Sequence, residues 1–162
     1  MLFEKSERVI NSIAVSPVRS YEYTLSKLFS IGFISVIVGI AIGLFSNAVN
    51  ITIQFVAGIF LCSCLFSAVG LGIAAKSISL NGFIISTIPA ELLINIPALA
   101  WLFGWRPAWL LFHPGVCMMA LCENEKHVLL ALLILALWTL LASIIANRTV
   151  KGMFREIGGI KL

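Results

Sequence analysis

The chain has 162 residues, of which 60% are hydrophobic and 11% charged, with a mean hydropathy of +1.08 and a formal net charge of +4. Soluble domains carry about 25% charged residues, so this composition excludes a soluble core that hides its own apolar surface, and it excludes a disordered chain as well. The positive balance calls for no nucleic acid, because in an integral membrane protein the placement of Lys and Arg matters more than their sum.

Residues 1–27 are the polar start, MLFEKSERVINSIAVSPVRSYEYTLSK. Leu2, Phe3, Val9, Ile10, Ile13 and Ala14 recur at spacings of three and four among Glu4, Lys5, Glu7 and Arg8. That pattern suits a short amphipathic helix lying on a surface. Pro17 cannot continue a helix and biases Ser16 toward an extended shape, so the surface helix ends there. A second helix is expected to start near Ser20 and run straight into the first apolar block. No small-residue cleavage site follows a short apolar core, so the first span is expected to serve as an uncleaved insertion signal.

A helix needs about 20 predominantly apolar residues to cross the hydrocarbon layer. Four stretches qualify, at about residues 28–45, 53–75, 83–103 and 128–146, within a transmembrane domain covering 28–146. The first, second and fourth carry no charge, whereas the third contains Glu91 and Asn95 between Pro89 and Pro97. The segment 104–127 holds Trp105, Trp109, Pro107 and Pro114 and the apolar run 116–121, which suggests short helices dipping back into the bilayer against neighbouring protein. Residues 147–162 form a basic tail. The expected architecture is therefore all-α: four transmembrane helices, a preceding surface helix and a re-entrant segment before the last span.

Basic residues orient these spans. Lys5, Arg8, Arg19, Lys27, Lys76, Arg148, Lys151, Arg155 and Lys161 fall on one side, and only Arg106 and Lys126 on the other. The positive-inside rule then places both termini in the cytoplasm, as a multi-pass protein of the cell membrane.

Some side chains stand out within this frame. Gly39-x-x-x-Gly43 on the first span, and Ser63, Ser67 and Gly70 on the second, offer flat faces for close helix packing, either within one bundle or between two copies. Glu91 is the one ionisable residue inside a span; a carboxylate left uncompensated in lipid costs about 3 kcal/mol or more, so it is expected to face protein or water. With Asn95 one turn away, it is a candidate contact on a transport path, the alternative being a hydrogen-bonded structural Glu. His113, Cys117, Cys122 and His127 share one segment and are all metal-ligand types. Yet Cys117 and Cys122 fall on different helical faces and Pro114 splits off His113, so no metal site is expected and two unpaired thiols are the favoured reading. The chain contains no G-x-x-x-x-G-K-[ST] loop, no G-x-S-x-G elbow and no H-E-x-x-H, so no catalytic residue is assigned, and any ATP that drives it must be bound by another polypeptide.

The order Glu7-Arg8, Ser16-Pro17-Val18, Tyr21-Glu22-Tyr23 and Lys27-Leu28 resembles the cytoplasmic connection of type-2 ATP-binding-cassette exporter permeases, and within them the drug-export (fluoroquinolone-type) permeases. The motif likeness covers about the first 28 residues; the likeness of layout, including the segment before the last span, covers nearly the whole chain. The resemblance implies a non-enzymatic permease subunit that works with a separate ABC ATPase and a second permease copy. It implies that Glu4, Glu7, Arg8, Ile10, Ile13, Ser16 and Pro17 touch that ATPase. Such permeases have six spans, so this chain is expected to represent one lacking the first two. The alternative from another class is a small four-span structural or assembly protein with no transport role.

Overall fold

The structure, a computed structural model, describes residues 19–46, 51–123 and 128–157. The expected surface helix, with Glu4, Glu7, Arg8, Ile10, Ile13, Ser16 and Pro17, lies outside the described residues. Among the described residues there are five α-helices, one 3-10 turn and no strand.

Helix α1 (Ser20–Ser46) begins where the Glu22 carboxylate accepts a hydrogen bond from the Arg19 backbone N–H at 3.0 Å, the reach-back half of a capping box. It runs unbroken through the first apolar block, as the sequence suggests. Helix α2 (Ile53–Lys76) opens on Thr52, whose hydroxyl accepts from the Phe55 N–H at 3.3 Å. Helix α3 (Leu80–Leu102) opens on Ser79, which accepts from the Gly82 N–H at 3.2 Å. A 3-10 turn (Ala108–Phe112) leads into α4 (Pro114–Glu123), with proline at the first helical position, where its missing N–H costs nothing. Helix α5 (Val128–Ile157) is the last of the described elements. Helices α1, α2, α3 and α5 are each long and apolar enough to cross a membrane.

Helix α5 extends eleven residues past the apolar block 128–146 that marks it in the sequence. The extension is held by packing: Val150 and Met153 are buried against Tyr23, Leu28 and Leu71, and the Tyr23 and Phe154 rings pack at a tilt with centres 5.7 Å apart. The basic tail is thus largely the end of this helix.

Helix α2 is the axis of the bundle. One side meets α1, where the small-residue stripe is used: Gly32 lies against the Phe60 ring, Gly39 against Ile59, and Gly43 beside Ile51 and Phe55. Ser63 donates to the Ser35 hydroxyl at 2.6 Å within the same pair. The other side meets α5, where a Cβ added at Gly72 would lie 3.8 Å from the Ala146 Cα, and the Thr139 hydroxyl bridges to the Leu61 carbonyl at 3.1 Å and its own helix's Leu135 carbonyl at 2.8 Å. Lipid offers no hydrophobic drive for helix association, so these close approaches and buried hydrogen bonds hold the bundle.

Helix α3 stands apart. It is helical through both Pro89 and Pro97, and it buries only Ile94, Ala98 and Trp101. A proline in a membrane helix is tolerated when neighbours satisfy the carbonyl it frees. For Pro97 that carbonyl belongs to Leu93, four residues back, and the His113 imidazole is set beside it.

Candidate functional site: a cleft between three helices

Because α3 leans away from α2 and α5, the three helices enclose a cleft of about 980 Å³. Its walls are apolar: Leu65, Val69 and Ile73 from α2, Ala90 and Leu93 from α3, Leu141 and Ile145 from α5. One end lies at the α2–α3 turn, where Lys76, Ser77, Ser79 and Thr149 supply the polar rim. Two of these hydroxyls are already engaged within their own helices, Ser77 to the Ile73 carbonyl at 2.9 Å and Thr149 to that of Ile145 at 2.6 Å. The Lys76 ammonium is exposed.

At the other end lies the link between the 3-10 turn and α4. His113 and Pro114 form this floor, and each wall grips it. On the α5 side the Trp138 indole N–H donates to the Phe112 carbonyl at 3.0 Å. On the α3 side Gly115 lies directly against the Ile94 carbonyl and Ala98. Behind the floor, Val116, Cys117, Ala120 and Leu121 are buried among Leu65, Ala131, Leu135, Leu110 and Trp101. Arg106 ties the far end down: its guanidinium pairs with Glu123 through two contacts of 3.0 Å and sits 5.3 Å from the centre of the Trp101 ring. Both groups of the ion pair are partly exposed, so it fixes geometry more than it adds stability.

Burial lowers the His113 imidazole below its ordinary value, with the Leu93 backbone acting in the opposite sense. Burial also pushes the Cys117 thiol up to about 11, and the thiol donates to the Leu111 carbonyl at 3.0 Å. A neutral, hydrogen-bonded thiol is a packing group rather than a nucleophile. Among the described residues, no cluster of three His, Cys, Asp or Glu side chains is arranged to hold a metal.

The residues singled out in the sequence are distributed unevenly around this cleft. Glu91 and Asn95 are both exposed on α3 but do not line the cleft. Gly39, Gly43 and Ser63 lie in the α1–α2 contact, Ser67 is half-buried, and a Cβ added at Gly70 would meet open space. His127 lies outside the described residues. Sequence reasoning did not find the floor. Pro97 frees the Leu93 carbonyl, but Trp101, Trp105, Arg106, Trp109 and His113 are all donors in the following segment, so the sequence does not single out His113. The partner positions Trp138 and Ile94 carry no mark either. No protein-family model, no curated protein and no solved structure matches this chain.

Proposed function

We propose that this chain is the membrane-spanning permease unit of an ATP-driven exporter, and that its cleft takes an amphipathic small molecule with an apolar body. The observation that carries this reading is the cleft: about 980 Å³, apolar along both walls, with His113 and Pro114 at one end and Lys76 and hydroxyls at the other. Ligand pockets of about 300–1,000 Å³ with mostly apolar lining and few polar groups suit such molecules. The split of basic residues sets both termini in the cytoplasm of the cell membrane, which turns the open end of the cleft to the cytoplasm and its floor outward. The 3-10 turn and α4 then form the re-entrant external segment. The ATP is bound by a separate ABC ATPase subunit, which Glu4, Glu7, Arg8, Ile10, Ile13, Ser16 and Pro17 of the segment 1–27 contact.

The test uses inverted membrane vesicles that carry the chain with its co-expressed ATPase subunit, and N-phenyl-1-naphthylamine as the apolar fluorescent probe. ATP-dependent loss of probe from the bilayer is expected, and Ser86→Trp, which places an indole in the cleft, abolishes it. Co-purification of the ATPase is weakened by Glu7→Lys, which reverses one charge of the docking helix. Probe movement that is independent of ATP, or unchanged by Ser86→Trp, overturns the reading.

A further inference from the structure

The cleft is chemically lopsided. Its walls are apolar, and among the described residues no Asp or Glu lines it. The one Lys or Arg on its lining is Lys76, the last residue of α2.

Lys76 does not act alone at that end. Ser79, also on the lining, caps α3 by accepting from the Gly82 N–H at 3.2 Å, which leaves its own hydroxyl proton to donate. The first N–H groups of α3, at Leu80 and Asn81, have no carbonyl four residues back within the helix. The aligned peptide dipoles of its 23 residues place a partial positive charge at the same terminus. The last carbonyls of α2 would oppose an anion, but Ser77 sends both its N–H and its hydroxyl to the Ile73 carbonyl, at 3.0 and 2.9 Å. An ammonium, a hydroxyl donor and a helix N-terminus therefore meet at one end of an apolar slot, and each favours negative charge.

The dimensions of the slot add to this. Lys76 stands eleven residues along α2 from Leu65, about 16 Å at the rise of an α-helix. A bound molecule can thus place its polar head at Lys76 and run a long apolar tail between α2 and α3 toward His113. A cationic amphiphile in the same pose would meet like charge at its head, and a neutral one would leave the donors unused. We propose that the cleft takes a single-chain amphiphile with a carboxylate head, held by Lys76 and Ser79 at the N-terminus of α3. This inference rests on the cleft being the ligand site of the function proposed above, but on neither transport nor ATP.

Binding of 11-(dansylamino)undecanoic acid and of its methyl ester tests it, with the chain in phosphatidylcholine nanodiscs and empty nanodiscs as the partition background. Both probes are expected to saturate, the acid about ten-fold more tightly than the ester, which is what one charge-assisted contact supplies. Lys76→Gln removes that advantage and leaves ester binding unchanged, which also shows that the cleft is intact. Lys76→Arg keeps the preference, and Ser86→Trp, which fills the cleft, abolishes saturable binding of both probes. Equal affinity for acid and ester, an acid preference that survives Lys76→Gln, or loss of both probes together in Lys76→Gln overturns the carboxylate proposal while leaving an apolar ligand site standing. Failure of either probe to saturate, or binding indifferent to Ser86→Trp, overturns the proposal and the ligand site with it.

Discussion

Gly115 rests against the carbonyl oxygen of Ile94 so closely that a Cβ on Gly115 would overlap that oxygen. This one approach fixes where the turn and α4 sit beneath α3, and so where the cleft ends. The neighbouring contacts act together with it: His113 beside the Leu93 carbonyl, and Trp138 on the Phe112 carbonyl.

Gly115→Ala is expected to lower stability by about 1–3 kcal/mol, since the obstacle is backbone and cannot rotate away. Gly70→Ala is its counterpart, because its Cβ would meet nothing within 4 Å. Removing a helical glycine there stabilises by about 0.5–1 kcal/mol. Thermal unfolding in lipid nanodiscs, followed by tryptophan fluorescence, should move in opposite directions for the two variants. Equal shifts would remove Gly115 from its role.

Leu135 is fully buried at the α2–α4–α5 junction, and Thr139 sits one turn further with its hydroxyl on the Leu61 carbonyl. Leu135→Ala opens a cavity and should cost about 2–5 kcal/mol. Thr139→Val keeps the shape and loses one interhelical hydrogen bond, worth about 0.6 kcal/mol in a membrane bundle. The ranking, measured as midpoints of denaturation in mixed micelles, is the outcome to check. A Thr139→Val loss as large as that of Leu135→Ala would mean that the hydroxyl governs the α2–α5 contact.

The downward displacement of His113 has a pH consequence. Its folded value lies below the unfolded value of about 6.5, so the unfolded chain binds more protons in acid. Stability is unaffected by this group above about pH 6.5 and falls as pH drops below that value. His113→Gln should flatten that acid limb while leaving the neutral plateau in place, apart from a constant offset. A melting-temperature series from pH 8 to about pH 5, the range that brackets the ordinary histidine value, reads it directly. An acid limb of the same slope in both proteins would assign it to other groups.

The topology can be read with single cysteines in a background with Cys62, Cys64, Cys117 and Cys122 replaced by alanine. Ala108 is exposed at the start of the 3-10 turn, and Gly152 is exposed with no atom near its Cβ position. A membrane-impermeant maleimide applied to whole cells should label Ala108→Cys and spare Gly152→Cys until the cells are opened. The reverse pattern would invert the orientation derived from the basic residues.

The four long helices were legible in the sequence because their causes are local. Apolar runs of sufficient length sit at 28–45, 53–75, 83–103 and 128–146, and Ser20 marks the start of the first helix. The absence of a phosphate-binding loop was equally plain. Tertiary structure decided what depends on residues far apart in the chain. The glycines of α1 lie against α2 because Phe60, Ile59 and Phe55 project there, which no property of Gly32, Gly39 or Gly43 specifies. Helix α5 outruns its apolar block because Val150, Met153 and Phe154 find Leu28, Leu71 and Tyr23. Helix α3 survives two prolines and stands away from the bundle, which opens the cleft and leaves Glu91 outside it. Local propensity sets which residues become helix; which faces meet is set by shape and hydrogen bonds between segments such as Leu61 and Thr139, 78 residues apart.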